Sequence, residues 1–175
     1  LLPGDFLIAV DGGLGHLRRL GLTPNLLIGD LDSVDAAELA DIAAAGVEIR
    51  RFPPAKDQTD LELALDYALD FGYTQIVIAY PFGDRLDHTL GNLSLLSRPD
   101  LNSKTLSPED GQVEARLLRS GARFSSQPGE LISLFAWGEP VQGITTQRLE
   151  YPLRGETLIP WQTRGISNVA LADSF

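Results

Sequence analysis

The sequence predicts an α/β protein in two parts, a mostly parallel α/β domain over residues 1–98 and an antiparallel β domain over residues 99–175. Three observations carry this. Short apolar runs alternate with helix-patterned stretches through the first half, the arrangement of a parallel sheet covered on both faces. Arg98-Pro99-Asp100-Leu101-Asn102-Ser103 has the composition of a linker. Beyond it, short runs are punctuated by Gly, Pro and Ser at about 8–12-residue intervals, the spacing of antiparallel strands.

Taken in order, Phe6–Val10 reads as a strand ending at Asp11-Gly12-Gly13, and a helix through Leu17 and Leu20 is stopped by Gly21 and Pro24. Leu26–Ile28 is a second strand, ending at Gly29-Asp30. A helix over Ala36–Ala45 halts at Gly46 and leads to a strand at Val47–Ile49. Leu61, Leu65, Ala68 and Leu69 form the apolar stripe of a third helix. Gln75–Tyr80 is the next strand and Leu86–Leu96 the next helix. In the second part the runs are Val113–Leu118, Leu131–Trp137 and Thr157–Pro160, and no internal repeat is visible. The chain begins at Leu1 without a Met and ends at Ala172–Phe175 without a clear closing strand; a further first strand and a further C-terminal segment are expected.

Composition narrows the function classes. With 43% hydrophobic and 22% charged residues the chain is of ordinary globular type, and no apolar run approaches the roughly 20 residues of a membrane-spanning helix. Leu1–Asp5 has neither the basic start nor the cleavage site of a secretory signal. Zero Cys excludes disulfides, thiolate metal sites and Cys nucleophiles, and a cytoplasmic location is expected. The net charge is −10, and residues 1–100 hold 7 basic against 16 acidic side chains. Nucleic-acid binding needs a basic face and is disfavoured. An acidic half that handles an anionic substrate needs a cation to bridge the like charges.

The candidate chemistry sits just after the predicted strands, where ligands of open parallel sheets collect. Asp30 and Asp32, flanked by Gly29 and Ser33, present two carboxylates that suit Mg²⁺; the same residues also make turns for local hydrogen-bonding reasons. Asp11-Gly12-Gly13 allows close backbone approach to a phosphate, or is simply a tight turn. In Lys56-Asp57-Gln58-Thr59-Asp60, Thr59 with Glu62 makes a capping box, leaving Lys56, Asp57 and Asp60 available and Asp60 as a third candidate metal ligand. Gly83-Asp84-Arg85-Leu86-Asp87-His88 offers Arg85 for a phosphate and Asp87 to orient or deprotonate a hydroxyl. His88 reads as a surface or capping residue. No Gly-x-Ser-x-Gly elbow supports a Ser–His–Asp hydrolase. Late in the chain, Gly165-Ile166-Ser167-Asn168 and Trp161 offer neutral hydrogen bonds and a flat face for a cationic heterocycle, or a turn and a core Trp.

In their order these segments resemble the motif set of the thiamine pyrophosphokinase family: Asp11–Gly13, Gly29–Ser33, Asp57–Asp60, Arg85–Asn92 and Gly165–Asn168, with Thr145-Thr146 and Leu149–Leu153 also similar. The resemblance spans nearly the whole chain. It implies a Rossmann-like α/β domain followed by a β-sandwich, working as a homodimer with thiamine bound across the subunit interface. It also implies ATP as co-substrate and Mg²⁺ held by Asp30, Asp32 and Asp60, with Asp11 nearby. Gly12, Gly13 and Ser33 would line the nucleotide site, Arg85 and Asp87 the reacting centre, and Ser167 and Asn168 the thiamine pocket. The family usually follows Ser-Asn with an acidic residue, and here Val169 stands in that place. A pyrophosphokinase for another alcohol, such as a hydroxymethylpterin, and a non-catalytic nucleotide or thiamine sensor are the competing readings.

Overall fold

A computed structural model describes residues 1–82, 85–101, 105–109 (backbone only) and 111–175. The chain divides into two compact units, Leu1–Leu117 and Leu118–Phe175.

In the first unit β1 (Ile8–Val10), β2 (Leu26–Gly29) and β3 (Glu48–Arg51) form a parallel sheet in that order, with Ile8 opposite Leu26 and Leu26 opposite Glu48. Parallel strands need crossovers, supplied here by α1 (Gly13–Arg19) and α2 (Ala36–Ala44). The central strand shows why its sequence is apolar without alternation. Leu27 packs with Ala9, Leu14, Leu31, Val34 and Ile42, while Leu26 and Ile28 pack with Ala64 and Tyr67 of α3 (Asp60–Asp70). A strand covered on both faces has no polar side to show.

The rest of the unit is built on β4 (Gln75–Ala79), α4 (Leu86–Leu95), a 3₁₀ turn at Pro99–Leu101 and β5 (Thr105–Glu109). β5 runs parallel to β4, with Gln75 opposite Thr105. Leu65, Ile78, Leu96 and Leu101 form their core, with Ala115 and Leu117 packed against it. The first unit therefore continues past the linker expected at residue 98, because strand pairing and this core hold the following segment to it. Asn102 and Ser103 of that expected linker lie outside the described residues. Nor does Val113–Leu118 form a regular strand.

The second unit is antiparallel. β6 (Leu131–Ile132) pairs with β9 (Asn168–Val169), and β7 (Val141–Thr145) with β8 (Arg154–Leu158) through an irregular register. Ala136, Leu153 and Leu158 are its core. Only two residues of the run expected over Leu131–Trp137 are strand. Asp173–Phe175 do close an edge: Phe124 and Phe175 exchange backbone hydrogen bonds at 3.0 and 3.1 Å and stack their rings. No helix among the described residues is long and apolar enough to cross a membrane.

Candidate active site

Two strand ends meet first. Asp11 follows β1 with φ of 43°, and its backbone N–H donates to Ile28 O at 3.0 Å. That places its carboxylate over the turn after β2, where Oδ1 accepts from Leu31 N at 3.3 Å. Gly29 permits the approach, because a Cβ there would fall 1.7 Å from Asp11 Oδ1. Leu31 adopts φ of 62° and buries its side chain in the core, anchoring the turn between half-buried Asp30 and exposed Asp32. Asp30 Oδ1 accepts from Asp32 N at 3.1 Å, the local hydrogen bond of a turn. Gly12 lies against Ser33, with room for a Cβ 3.7 Å from Ser33 Oγ.

A further carboxylate, Asp60, enters from the head of α3. Thr59 caps this helix by accepting from Glu62 N at 3.2 Å, the expected capping interaction. Asp60, its first residue, keeps only 16% side-chain exposure. Lys56 Nζ comes to 3.0 Å from Asp60 Oδ1, an ion pair without hydrogen-bond alignment that leaves this buried oxygen unsatisfied. Gln58 does not face the carboxylates; it donates to Asp66 at 2.7 Å, which also holds Arg98 at 2.6 Å. Lys56 was legible from its i, i+4 spacing to Asp60, but spacing alone did not reveal that the pair is buried.

Burial raises the Asp11 carboxyl to about 6, opposed by the Leu31 N–H and reinforced by the neighbouring Asp60 and Asp30 carboxylates. Its folded value thus exceeds its ordinary one of 3.8, and the proton is bound more tightly in the folded state. Stability from this group is present at acid pH and is lost as pH rises from about 4 to about 6. Solvent access to a half-buried carboxyl reduces the effect to about 1 kcal/mol. In chelator-treated protein, Asp11→Asn is expected to melt about 2–4 °C above the parent at pH 7 and level with it at pH 4. Thermal melts across that range check it; a difference independent of pH would refute the assignment.

Among the described residues, no three His, Asp or Glu side chains form a preformed metal cage. The expected Mg²⁺ ligands Asp30, Asp32 and Asp60 do not form such a cage by themselves. One Asp30 oxygen takes the Asp32 N–H and one Asp60 oxygen faces Lys56. The donor chemistry still suits Mg²⁺, which takes one or two carboxylates and completes its shell with water and phosphate oxygens. An unsatisfied buried carboxylate oxygen, and a carboxyl raised by burial and by its like-charged neighbours, are what such a cation would relieve.

At the head of α4, Arg85 binds Asp87 at 2.6 and 3.2 Å, both about two-thirds exposed. This bond holds the Asp87 carboxyl down at about 2. The Asp87 carboxylate, expected to orient or deprotonate a hydroxyl, is here paired with Arg85. Gly83 and Asp84 of this motif lie outside the described residues. Asn92, whose role the sequence did not disclose, donates to Pro81 O at 2.8 Å and ties α4 to the segment after β4.

In the second unit, Ser167 is exposed, has φ of 56° and donates its N–H to Ser133 Oγ at 3.2 Å. Asn168 is 1% exposed, and its amide is committed to backbone: Oδ1 accepts from Tyr151 N and Val169 N, and Nδ2 donates to Tyr151 O. Asn168, expected to line a ligand pocket, instead clamps the Tyr151 turn, and of the expected pair Ser167 is the one that is exposed. Gly165 is packed so closely that a Cβ would lie 2.7 Å from Leu134 O. Trp161, read as either a core residue or a flat binding face, is 77% exposed.

Comparison with known proteins accounts for both units. Residues 3–106 match the family model for the thiamin pyrophosphokinase catalytic domain, and residues 123–174 match that for the thiamin pyrophosphokinase vitamin B1 binding domain. The chain is 32% identical to a thiamine pyrophosphokinase of Bacillus subtilis over 164 residues, 92% of this chain and 76% of that protein. The crystal structure of thiamine pyrophosphokinase from Bacillus subtilis superposes with a TM-score of 0.88 at 30% identity, covering 99% of this chain and 82% of the other. That of a thiamin pyrophosphokinase family protein from Enterococcus faecalis gives 0.82 at 26% identity, covering 97% and 81%. Yeast thiamin pyrophosphokinase, at 17% identity, shares the fold with a TM-score of 0.83, covering 97% of this chain and 73% of its own. This chain belongs to the thiamine pyrophosphokinase family, with the catalytic domain first and the vitamin B1 binding domain second.

Proposed function

We propose that this chain transfers the terminal pyrophosphoryl group of ATP to the hydroxyl of thiamine through the acidic site of its first unit. The observation that carries the proposal is the convergence of Asp11 and Asp30, just past β1 and β2, with Asp60 at the head of α3, where burial and then these like charges raise the Asp11 carboxyl to about 6. Such a site is repulsive to a polyphosphate unless a cation is present. Asp30, Asp32 and Asp60 would hold Mg²⁺, which when bound neutralises polyphosphate charge. Gly12, Gly13 and Ser33 border the nucleotide, where glycine backbone admits close contact.

The thiamine hydroxyl oxygen forms a bond to the β-phosphorus, the bond from that phosphorus to the α,β-bridging oxygen breaks, and AMP leaves with the electron pair. In a loose phosphoryl-transfer transition state the hydroxyl proton need not be removed early. Asp87, paired with Arg85, accepts a hydrogen bond from the hydroxyl and orients it, and the proton passes to water. Arg85 meets charge on the transferring group. Ser167 contributes neutral hydrogen bonding to thiamine.

The second unit exposes many large apolar side chains, among them Leu131, Phe135, Trp137, Tyr151, Trp161 and Leu171. Exposed apolar surface on this scale supports a homodimer with thiamine at the interface between copies; a monomeric mass by light scattering would overturn that part. A chain without Cys accords with work in the reducing cytoplasm, testable by cell fractionation.

The test is chromatography of a mixture of protein, ATP, Mg²⁺ and thiamine, omitting each in turn. AMP and thiamine diphosphate are expected together and only from the complete mixture. ADP would indicate a simple kinase, product only with a hydroxymethylpterin would reassign the acceptor, and bound nucleotide without AMP would indicate a sensor.

A further inference from the structure

One aromatic pair in the first unit is left without a task by the reading above. Tyr80 follows β4 directly, at the carboxyl end of the strand, and His16 lies one turn into α1, the helix that starts just after Asp11-Gly12. Their rings stack with centroids 5.1 Å apart and planes 21° from parallel. The stack joins α1, which follows β1, to the end of β4. Ligands of open α/β folds bind outside the carboxyl ends of the strands.

Two details argue against a purely structural pair. Tyr80 is 58% exposed, so the stack buries little ring surface and leaves an open aromatic face. It also holds φ of 56°, a left-handed conformation that is unfavourable for a residue with a ring on Cβ and one that clusters at functional sites. On the other ring, Arg19 Nη2 lies 3.0 Å from His16 Nδ1. A guanidinium only donates, so Nδ1 accepts and Nε2–H is left as the donor in the ring plane.

We propose that the His16–Tyr80 pair is the platform on which the nucleobase of the triphosphate stacks, and that it favours purines over pyrimidines. The inference rests on the reading of the acidic site as the polyphosphate seat. Gly13, at the start of the same helix, is about 4.5 Å of axial rise from His16, so one helix serves both ends of the nucleotide. Stacking depends on π area, which a purine supplies more fully than a pyrimidine.

Equilibrium dialysis with Mg²⁺ and the non-transferable α,β-methylene analogues of ATP and CTP tests this without turnover. The parent is expected to bind the ATP analogue more tightly than the CTP analogue. Tyr80→Asn removes the ring while Asn tolerates the left-handed backbone; it should weaken the ATP analogue roughly tenfold and erase the preference. Tyr80→Phe should keep both. His16→Ala, which leaves Tyr80 without its stacking partner, should weaken the ATP analogue more than the CTP analogue. Unaltered ATP-analogue binding in Tyr80→Asn, equal losses for both analogues, or binding of neither analogue by the parent would overturn the proposal. Purine-selective binding that follows Tyr80 in a protein making no AMP would uphold the platform and sink the transferase reading. AMP formation with indifferent Tyr80 variants would do the reverse.

Discussion

Asp32→Asn is expected to lower kcat/KM for AMP formation by about a thousandfold at ordinary Mg²⁺, with the fold intact. Asn has nearly the shape of Asp, and the structural tie at this position uses the Asp32 backbone N–H, which donates to Asp30 Oδ1. The side chain itself is exposed. Thermal melts of parent and variant should therefore agree within about a degree, since surface substitutions away from special features are nearly neutral. What the variant loses is a negative charge where a cation must be attracted against a polyphosphate. Removing one preorganised electrostatic contact costs about 10²–10³ in rate, and losing part of a metal seat adds weaker occupancy. Raising Mg²⁺ should return some of the activity, because occupancy follows mass action. Near-parental turnover at ordinary Mg²⁺ would refute the assignment of Asp32 to the cation seat.

How much of this was readable in the residues depends on the range of the interactions. Leu26–Ile28 declared a buried strand because both its faces are covered, leaving no polar alternation to confuse with a loop. Thr59 and Glu62 declared a helix start because capping is settled within four residues. The catalytic candidates near strand ends were legible for the same reason: the rule that ligands gather there needs only the positions of the strands. β5 was not legible. Its sequence Thr-Leu-Ser-Pro-Glu carries one aliphatic residue and a Pro, a composition tolerated at a sheet edge but typical of loops. Its pairing with β4, about thirty residues earlier, supplies what local propensity lacks, and so the first unit runs beyond residue 98.

The site residues divide along the same line. Asn168 was chosen for its amide, yet whether an amide meets a ligand or the backbone is decided by Tyr151, seventeen positions away. Arg85 and Asp87 are two positions apart and were both expected at the reacting centre, but their mutual bond changes what each can do. The stack of His16 on Tyr80 joins residues 64 positions apart. Motifs report which groups are present; the tertiary structure reports which of them are already engaged.

Gly29→Ala is the stability counterpart of the Asp32 test, and the expected loss is about 3–6 kcal/mol. Gly29 holds φ of 147°, where a Cβ is strained irrespective of space. Its backbone cannot yield easily, since its carbonyl accepts from Phe52 N at 2.8 Å and the strand is paired with Arg51. The new Cβ would meet Asp11 Oδ1 at 1.7 Å and Cγ at 2.5 Å, so the Asp11 side chain must leave. Leu31 N then loses its acceptor. Strain of about 1–2 kcal/mol, steric displacement of about 1–3 and a lost hydrogen bond of about 1 make up the sum. Against a typical total of about 5–15 kcal/mol this is severe, and activity should fall with it because Asp11 is expelled from the acidic cluster. The double variant Asp11→Gly with Gly29→Ala separates the causes. Removing the Asp11 side chain relieves the clash but leaves the strained φ, so the double variant should be more stable in urea than the sum of the two single losses predicts, by about 1–3 kcal/mol. Strict additivity would mean that the glycine is required by its backbone alone, and that the carboxylate of Asp11 can move aside without cost.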